Sequence, residues 1–437
     1  MSEQVSGCAW GVAGQAAGSG GANPAGGNAQ GGKSGAGVTS GSGGTSDSAG
    51  AAGEPIAEAG MGGAPIEVGG APDVLGGEGG MSGASGAPGE AGAGGAPVVV
   101  DPCIGAVVGG VSKLPLPATT GVAKPTGALG NLKVLNWAGF QGALSFTFDD
   151  ALASQINHYA ELNAVGVPMT FYLVGQNDGS KPAWTKAAQD GHELGNHTMH
   201  HCNADGTGCG WGTFSNIDSE LDDCTAHLKS AFGVEGVYSF ASPMGDSNWV
   251  LPASSRFLVG RGVYDNPAGV VPNDSTNPFN LPCHISDQGE TAAAVAPAHG
   301  FNQVTDSVRT NGSWRIILNH ALLTQSTDSG DGYHPVLASE VVAAMTYARD
   351  VGGVWVDTVT HIGAYWRAQK AVSAVQATTS GTSRVYSWKL PAHFPPGQFL
   401  RVTVNGGSVQ QCGTALSWND HGYYEIALDA GSLTVSP

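Results

Sequence analysis

Strand-like and helix-like segments alternate from about residue 143 to residue 370, and this alternation constrains the fold more than any other feature of the sequence. Ala143 to Phe148 has the pattern of a strand, Leu152 to Val165 that of a helix, and Met169 to Leu173 that of a second strand. Similar units follow, up to a helix from Thr360 to Lys370. Repeated strand and helix units imply parallel strands covered by helices, in an open doubly wound sheet or a barrel.

The first 100 residues differ in composition from the rest. They contain 32 of the 70 glycines and one aromatic residue, Trp10. Such a segment cannot bury a core, so residues 1–100 are predicted to be a disordered Gly/Ala/Ser-rich tether. An extended lead-in is expected over 101–140 and the main α/β domain over 141–372. From 376 to 437 the alternation has a period of two residues, which predicts a small antiparallel β domain.

The charge and hydropathy of the chain argue against nucleic-acid binding and against a membrane-spanning segment. With 17 Lys and Arg residues and a net charge of -18, the chain is not expected to bind nucleic acid. No run of 18 apolar residues is present, so no membrane span is predicted.

A possible lipidation signal lies near the start of the sequence. The segment Val5-Ser6-Gly7-Cys8 resembles a bacterial lipobox, which would make Cys8 a lipid anchor. The alternative is a chance Gly-Cys pair in a glycine-rich segment.

The first strand runs into two adjacent carboxylates, Asp149 and Asp150. His197 and His201 follow with a spacing of four, which puts two imidazoles on one side of a helical turn. A carboxylate and two histidines form a metal site. Each feature also has a plainer interpretation, because an aspartate pair can cap the helix that begins near Leu152, and histidines can be solvated turn residues.

A protease signature is nearly present in the same segment. His192 and Glu193 begin an HExxH pattern, but its second histidine would fall at Asn196. The spacing fails by one residue, so the helical zinc site of a metalloprotease is not predicted.

Taken together, residues 141 to 370 resemble the polysaccharide deacetylase family, the NodB-homology domain of carbohydrate esterase family four. The family's first motif is matched by Thr147-Phe148-Asp149-Asp150 and its second by His197-Thr198 with His201. Its last motif is an apolar strand that ends in a histidine, and it is matched by Ile316-Ile317-Leu318 with His320. The resemblance implies a distorted (β/α) barrel.

The resemblance also implies a role for each residue. Asp150, His197 and His201 would hold a divalent metal, usually zinc, although this ligand set also suits Fe(II), Co(II) and Mn(II). Asp149 would be the general base and His320 the general acid. The backbone N–H of Met244, which follows Pro243, would stabilise the oxyanion.

Two family motifs are altered. Where the family has an arginine that orients the base, this chain has Ala241, followed by Ser242-Pro243-Met244. Asp149 therefore lacks its usual cationic partner in the sequence, and Arg256 or Arg261 is the candidate to replace it through space. The motif that tunes the acid histidine is not clearly matched, and its nearest candidate is Asp265, which an ordinary turn would also explain.

The predicted function is metal-dependent removal of acetyl groups from a glycan, as an N-deacetylase that hydrolyses carbon-nitrogen bonds other than peptide bonds. The partner would be an acetylated polysaccharide, and the protein would be secreted or lipid-anchored in a bacterial cell envelope. One alternative is an esterase that removes O-acetyl groups from a xylan-type glycan. Another is a surface protein that binds polysaccharide without turnover.

Two smaller questions stay open. Trp388, Trp418, Tyr423 and Tyr424 in the C-terminal β domain are interpreted as packing residues, with sugar binding as the alternative. Of the seven cysteines, Cys202 and Cys209 are close enough for a loop disulfide, with reduced buried thiols as the alternative.

Overall fold

A computed structural model describes residues 103–130, 132–179, 181–293 and 300–437. These residues belong to one compact unit. The predicted tether over 1–100 and the lipid anchor at Cys8 lie outside the described residues. Within the described ranges, no helix combines the length and the apolar character that crossing a membrane requires.

The main domain contains one curled sheet of eight parallel strands, which confirms the predicted distorted (β/α) barrel. The strands are β2 (Gly142–Asp149), β3 (Thr170–Leu173), β4 (Glu193–Asn196), β5 (Ser239–Ala241), β6 (Val259–Arg261), β7 (His284–Ile285), β8 (Trp314–Asn319) and β11 (Val354–Val356). Their order is β6-β5-β4-β3-β2-β8-β7, and β11 pairs with the first half of β2. Every residue of β2 is buried, including the polar Ser145 and Thr147, as expected for a central strand covered on both faces.

Helices connect these strands, as the alternation predicts. They are α1 (Ala153–Ala164), α2 (Lys181–Gln189), α3 (Cys224–Phe232), α4 (Val250–Ser254), α5 (Phe301–Asn311), α6 (Ala338–Asp350) and α7 (Val359–Ser373). A π-helical turn, Ser219–Asp223, leads directly into α3. The Thr358 side chain caps α7 by accepting a hydrogen bond from the His361 backbone N–H. The short strands β9 (Leu322–Leu323) and β10 (Val336–Leu337) pair with each other between β8 and α6.

The C-terminal region is antiparallel, as its period of two predicts. Its strands are β12 (Thr378–Ser380), β13 (Ser383–Ser387), β14 (Phe399–Thr403), β15 (Ser408–Gln411), β16 (Thr414–Ala415), β17 (Tyr424–Ala427) and β18 (Ser432–Ser436). They form one five-stranded sheet and one three-stranded sheet, and the latter includes β1 (Lys133–Val134) from the lead-in. This region and the barrel share a hydrophobic cluster, in which Leu400 and Tyr424 accompany Trp314 and Trp355.

The aromatic residues of the C-terminal region pack inside the protein. Trp388, Tyr423 and Tyr424 are buried, and the Trp418 indole N–H donates to the Val122 carbonyl of the lead-in at 2.8 Å. A disulfide between Cys103 and Cys412 joins the lead-in to the same region. For Trp388, Tyr423 and Tyr424, these contacts favour a packing role over sugar binding.

Candidate metal and catalytic site

The sequence-predicted site residues meet at one edge of the sheet. Asp149 ends β2, Asp150 follows it, His197 follows β4, and His320 follows β8. These strands run parallel, so their carboxyl ends lie at the same edge, where side chains from separate strands converge.

Backbone strain is concentrated at this edge. Of the ten described non-glycine residues with a positive φ, five lie here: Asp150, Ala151, Thr198, His201 and Met244. Each such conformation costs on the order of 1 to 3 kcal/mol and persists only where the surroundings enforce it. The site is therefore held in a shape that the local sequence does not prefer.

Two amide side chains help to enforce that shape. Gln155 on α1 donates from Nε2 to the backbone carbonyls of Asp149 and His320, which ties the two candidate catalytic residues together. Asn177 donates from Nδ2 to the Asp150 carbonyl at 2.7 Å. The sequence analysis did not identify either residue, because polar residues in a helix and a loop carry no pattern that points to the site.

Three side chains are arranged as ligands for one metal ion. The Asp150 Oδ1 atom lies 3.4 Å from Nε2 of His197 and 3.4 Å from Nε2 of His201. Atoms bound at 2.0 to 2.1 Å around a tetrahedral ion are about 3.4 Å apart, which agrees with these separations. Asp150 Oδ1 is buried and has no hydrogen-bond partner within the described part of the chain. Such an orphaned carboxylate oxygen between two imidazole nitrogens fits a divalent metal.

The environment sets the protonation of these ligands. Burial on its own would raise the pKa of Asp150, but the nearby imidazoles of His197, His201 and His320 lower it to about 2. Burial, together with the adjacent His197, lowers the pKa of His201 to about 4. Asp150 is therefore ionised and His201 neutral at physiological pH, the forms in which both bind metals.

Hydrogen bonds outside the ligand set orient both histidines. His197 donates from Nδ1 to the Ala241 carbonyl at 2.8 Å, which leaves the lone pair on Nε2 facing Asp150. Burial on its own would lower the pKa of His197, but the carboxylates of Asp149 and Asp150 raise it. The His201 backbone N–H donates to the Thr198 hydroxyl at 2.8 Å.

The turn that carries His201 is braced by a buried glutamate. Glu220, in the π-helical turn, accepts hydrogen bonds from the His200 backbone N–H at 2.9 Å and the His200 ring at 2.7 Å. A disulfide between Cys202 and Cys209 then closes the following loop. The short sequence separation of these two cysteines pointed to this loop, whereas nothing in the sequence pointed to Glu220.

The candidate base has a cationic partner after all. Arg261, which is fully buried at the end of β6, donates from its guanidinium to Asp149 Oδ2. Of the two candidates named from the sequence to replace the missing arginine through space, Arg261 is the one that contacts Asp149. Arg256 is not, since it pairs with Asp218 and Asp222 at the surface.

Arg261 reaches Asp149 because of strand register. Ala241, where the family has its arginine, pairs with Arg261 across the parallel ladder between β5 and β6. The guanidinium also packs 5.3 Å from the centre of the Tyr172 ring and donates to the Gly262 carbonyl at 3.0 Å. With Oδ2 occupied by Arg261, the other oxygen, Asp149 Oδ1, is buried without a hydrogen-bond partner in the described residues.

The candidate acid, His320, is half-buried beside this group. Burial lowers the pKa of His320, and the carboxylates of Asp149 and Asp150 only partly oppose the effect. The Tyr333 ring stands edge-on to the imidazole, with 5.4 Å between the ring centres. A lowered pKa makes the protonated imidazole a stronger acid but reduces its protonated fraction at neutral pH, so His320 would have to take up a proton before it donates one to a leaving group.

The remaining predicted residues lie in two places. Pro243 and Met244 follow β5 at the same edge of the sheet, and Met244 has a φ of 54°. Asp265 pairs instead with Arg315 at 2.7 Å and approaches His284 at 3.7 Å. Within the described ranges, its contacts are with these residues and not with His320.

Comparison with known proteins gives a family match. Residues 140–256 match the family model described as polysaccharide deacetylase. No curated protein matches the chain.

Three solved structures illustrate which folds this chain resembles. The Xyl-CE4 domain of a multidomain xylanase from the hindgut metagenome of Trinervitermes trinervoides is 22% identical, over 51% of this chain and 89% of that one, with a TM-score of 0.31. A family 4 carbohydrate esterase from Bacillus anthracis is 16% identical, over 55% of this chain and 86% of that one, with a TM-score of 0.31. A family 4 acetyl xylan esterase from Clostridium thermocellum is 19% identical, over 50% of this chain and 89% of that one, with a TM-score of 0.29. Because these identities are low, the assignment to the polysaccharide deacetylase family rests on the match to the family model and not on these solved structures.

Proposed function

Residues 140–256 belong to the polysaccharide deacetylase family, and from that premise we propose that the protein is a metal-dependent hydrolase that removes acetyl groups from a glycan. We further propose that its reaction is N-deacetylation of an N-acetylated polysaccharide. The observation that carries the proposal is that Asp150 Oδ1 and Asp149 Oδ1 are both buried without a hydrogen-bond partner in the described residues. Asp150 Oδ1 lies 3.4 Å from the Nε2 atoms of His197 and His201, as a metal ligand would, and Asp149 Oδ1 is free to accept a proton.

Asp150, His197 and His201 would hold the metal ion. A divalent ion there would polarise the acetyl carbonyl and make water acidic enough to react near neutral pH. Zinc is the default for two imidazoles and a carboxylate, while Fe(II), Co(II) and Mn(II) suit the same ligands.

The chain's own residues would move the protons. Asp149 would take a proton from the attacking water through Oδ1, because Arg261 holds Oδ2 and so fixes the direction of the free oxygen. His320 would then protonate the departing nitrogen. Each such transfer contributes typically about 10²- to 10⁴-fold to the rate. The turn at Pro243 and Met244 would provide a backbone N–H to the oxyanion.

A purely binding role is the less favoured alternative. Sugar binding needs neither a buried carboxylate held by an arginine nor a histidine beside it. The Asp149 and Arg261 pair costs desolvation energy that a binding surface has no reason to retain.

We also propose that the protein works outside the cytoplasm. Two disulfides, Cys103–Cys412 and Cys202–Cys209, support this location because structural disulfides form and persist in oxidising compartments. A lipid anchor at Cys8 remains a separate proposal.

The test is acetate release by the full chain from chitooligosaccharides, poly-N-acetylglucosamine and acetylated xylan, with chelator and with add-back of zinc, cobalt, manganese or iron. We expect release from an N-acetylated glycan that chelator abolishes and metal restores. Release from xylan alone would favour O-deacetylation, and metal binding without any release would favour the binding role.

Two matched variants separate the aspartates. Asp149→Asn should keep the metal and lose turnover, whereas Asp150→Asn should lose the metal. If Asp149→Asn lost the metal and Asp150→Asn kept it, the two roles would be reversed.

A further inference from the structure

The Arg261 guanidinium contacts Asp149 through one nitrogen only. Its Nη2 donates to Asp149 Oδ2, while Arg261 Nε and Asp149 Oδ1 are both buried without a hydrogen-bond partner in the described residues. A bidentate pair would fix the relative orientation of the two planar groups, but a single hydrogen bond leaves the guanidinium able to turn about it. Other neighbours must therefore set its direction. They are the Tyr172 ring, the Gly262 carbonyl and the Cys283 thiol, which together form what we call the guanidinium socket.

Cys283 closes a ring of hydrogen bonds in this socket. Its buried thiol donates to the Gly262 carbonyl at 3.4 Å, and its sulfur accepts from Arg261 Nη1 at 3.8 Å. The Gly262 carbonyl also accepts from the same Nη1 atom at 3.0 Å. Burial raises the pKa of the Cys283 thiol, so the sulfur keeps the proton that it donates. The thiol thus contacts both the nitrogen and the carbonyl to which that nitrogen is bound.

Tyr172 packs against the guanidinium from another side. It is fully buried on β3, and its ring centre lies 5.3 Å from the guanidinium carbon of Arg261. The ring extends over β4 because its register partner there is Gly195, where a Cβ atom would lie 2.5 Å from the ring. A cation beside a desolvated aromatic ring is attracted to the ring quadrupole. The ring therefore restrains the plane of the guanidinium, while the thiol and the carbonyl restrain its Nη1 end.

We propose that Cys283 and Tyr172 are positioning residues for the deacetylation reaction, because they fix the direction of the Arg261 guanidinium and, through it, of the Asp149 carboxylate. The inference rests on the proposed function, in which Asp149 is the base. Both residues are buried, so they act through Arg261 and not on the substrate. Proton transfer requires the accepting oxygen to lie within hydrogen-bond reach of the attacking water. A carboxylate that can turn therefore loses rate without losing substrate affinity.

The experiment separates the contacts of these two side chains from the volume that they fill. Cys283→Ala removes the thiol and Cys283→Ser keeps a hydrogen-bond donor, while Tyr172→Leu removes the ring and Tyr172→Phe keeps it. Val341→Ala is the control, because Val341 is buried on α6 in a hydrophobic cluster that contains neither Cys283 nor Tyr172. The values of kcat and KM for chitooligosaccharides, the metal content and the free energy of unfolding are measured for the full chain and each variant.

We expect Cys283→Ala and Tyr172→Leu to lower kcat about tenfold, with a much smaller change in KM and an unchanged metal content. Cys283→Ser and Tyr172→Phe should keep most of the wild-type kcat. Val341→Ala should lower the free energy of unfolding but not kcat. The proposal is overturned if Cys283→Ala and Tyr172→Leu keep the wild-type kcat, or if Val341→Ala loses as much kcat as they do. If Cys283→Ala does not fold, Cys283→Val takes its place, because valine fills the space without a polar atom.

Nitrogen NMR of the arginine side chains keeps this test separate from the test of the function, because it needs no substrate. The guanidinium groups are labelled with nitrogen-15, and the Arg261 signals are assigned with Arg261→Lys. A guanidinium that cannot rotate gives separate Nη1 and Nη2 signals, so we expect two signals in the wild type and one averaged signal in Cys283→Ala and Tyr172→Leu.

The two tests can fail independently. If the wild type releases no acetate, the proposed function fails, while the loss of separate signals in the two variants still supports the positioning of Arg261 by the socket. Separate signals in both variants, or one averaged signal in the wild type, overturn that positioning.

Discussion

Ala241 and Arg261 are register partners on the neighbouring parallel strands β5 and β6, and the arginine reaches the Asp149 carboxylate from the second of these strands. Residues paired across a parallel ladder lie side by side at the same height of the sheet. The cation that contacts Asp149 is therefore carried by β6, level with Ala241, the position at which the sequence resemblance leads one to expect an arginine.

This relationship predicts a rescue. Arg261→Ala should reduce acetate release at least tenfold and lower the free energy of unfolding by about 3 to 5 kcal/mol, because it leaves a buried carboxylate without its partner. Adding Ala241→Arg to that variant should restore part of both losses. Activity and urea unfolding are measured on both variants and on Ala241→Arg alone. A double variant no better than Arg261→Ala would show that only β6 can supply the cation.

The two neighbouring histidines predict different metal affinities. His201 faces Asp150, whereas the His200 ring is turned to Glu220. His201→Gln should therefore weaken zinc binding roughly a hundredfold or more, and the matched variant His200→Gln should change it much less. Competition with a chromophoric chelator measures both affinities. Similar losses in the two variants would argue against the assigned ligand set.

Acid stability should depend on His192. Burial lowers its pKa from 6.5 to about 4. Its Nδ1 accepts the Met169 backbone N–H at 3.1 Å, and its Nε2 donates to Asn163 at 2.9 Å, so the folded state holds the neutral ring. Below pH 6.5 the unfolded chain takes up a proton that the folded protein does not. The free energy of unfolding should then fall by up to about 1.4 kcal/mol per pH unit until pH 4.

The measurement for His192 is urea unfolding between pH 4 and pH 8. His192→Gln should flatten the dependence between pH 4 and 6.5, and His393→Gln, at an exposed position, should leave it as in the wild type. If His192→Gln kept the wild-type dependence of the free energy of unfolding on pH, groups other than His192 would be the cause of the acid sensitivity.

The two disulfides should contribute differently to stability. Cys103–Cys412 spans 309 residues and Cys202–Cys209 spans seven. From loop entropy alone, the long bridge is worth about 6 kcal/mol and the short one about 2.5 kcal/mol. Cys103→Ser with Cys412→Ser should therefore lower Tm more than Cys202→Ser with Cys209→Ser. Calorimetry of both double variants measures the two changes in Tm, and a larger loss for the Cys202 and Cys209 pair would contradict the loop-entropy argument.

The fold was largely predictable from local patterns. The run from Ala143 to Phe148 lies within β2, the stretch from Leu152 to Val165 contains α1, and the apolar strand Ile316-Ile317-Leu318 lies within β8. These elements agree with their local patterns because each buries apolar side chains at the positions that its period places toward the core. The short strand β10, formed by Val336 and Leu337, pairs with Leu322 and Leu323, and no local pattern encodes that pairing.

The sequence by itself determined the strand and helix order, the adjacent aspartates, and the spacing of His197 and His201. Those features depend on residue type and separation along the chain. Tertiary structure alone decided that Arg261 and not Arg256 holds Asp149, that Asp265 pairs with Arg315, and that Gln155 and Glu220 brace the site. The physical reason is that ladder register and sheet curvature bring distant residues together, and neither leaves a trace in the local sequence.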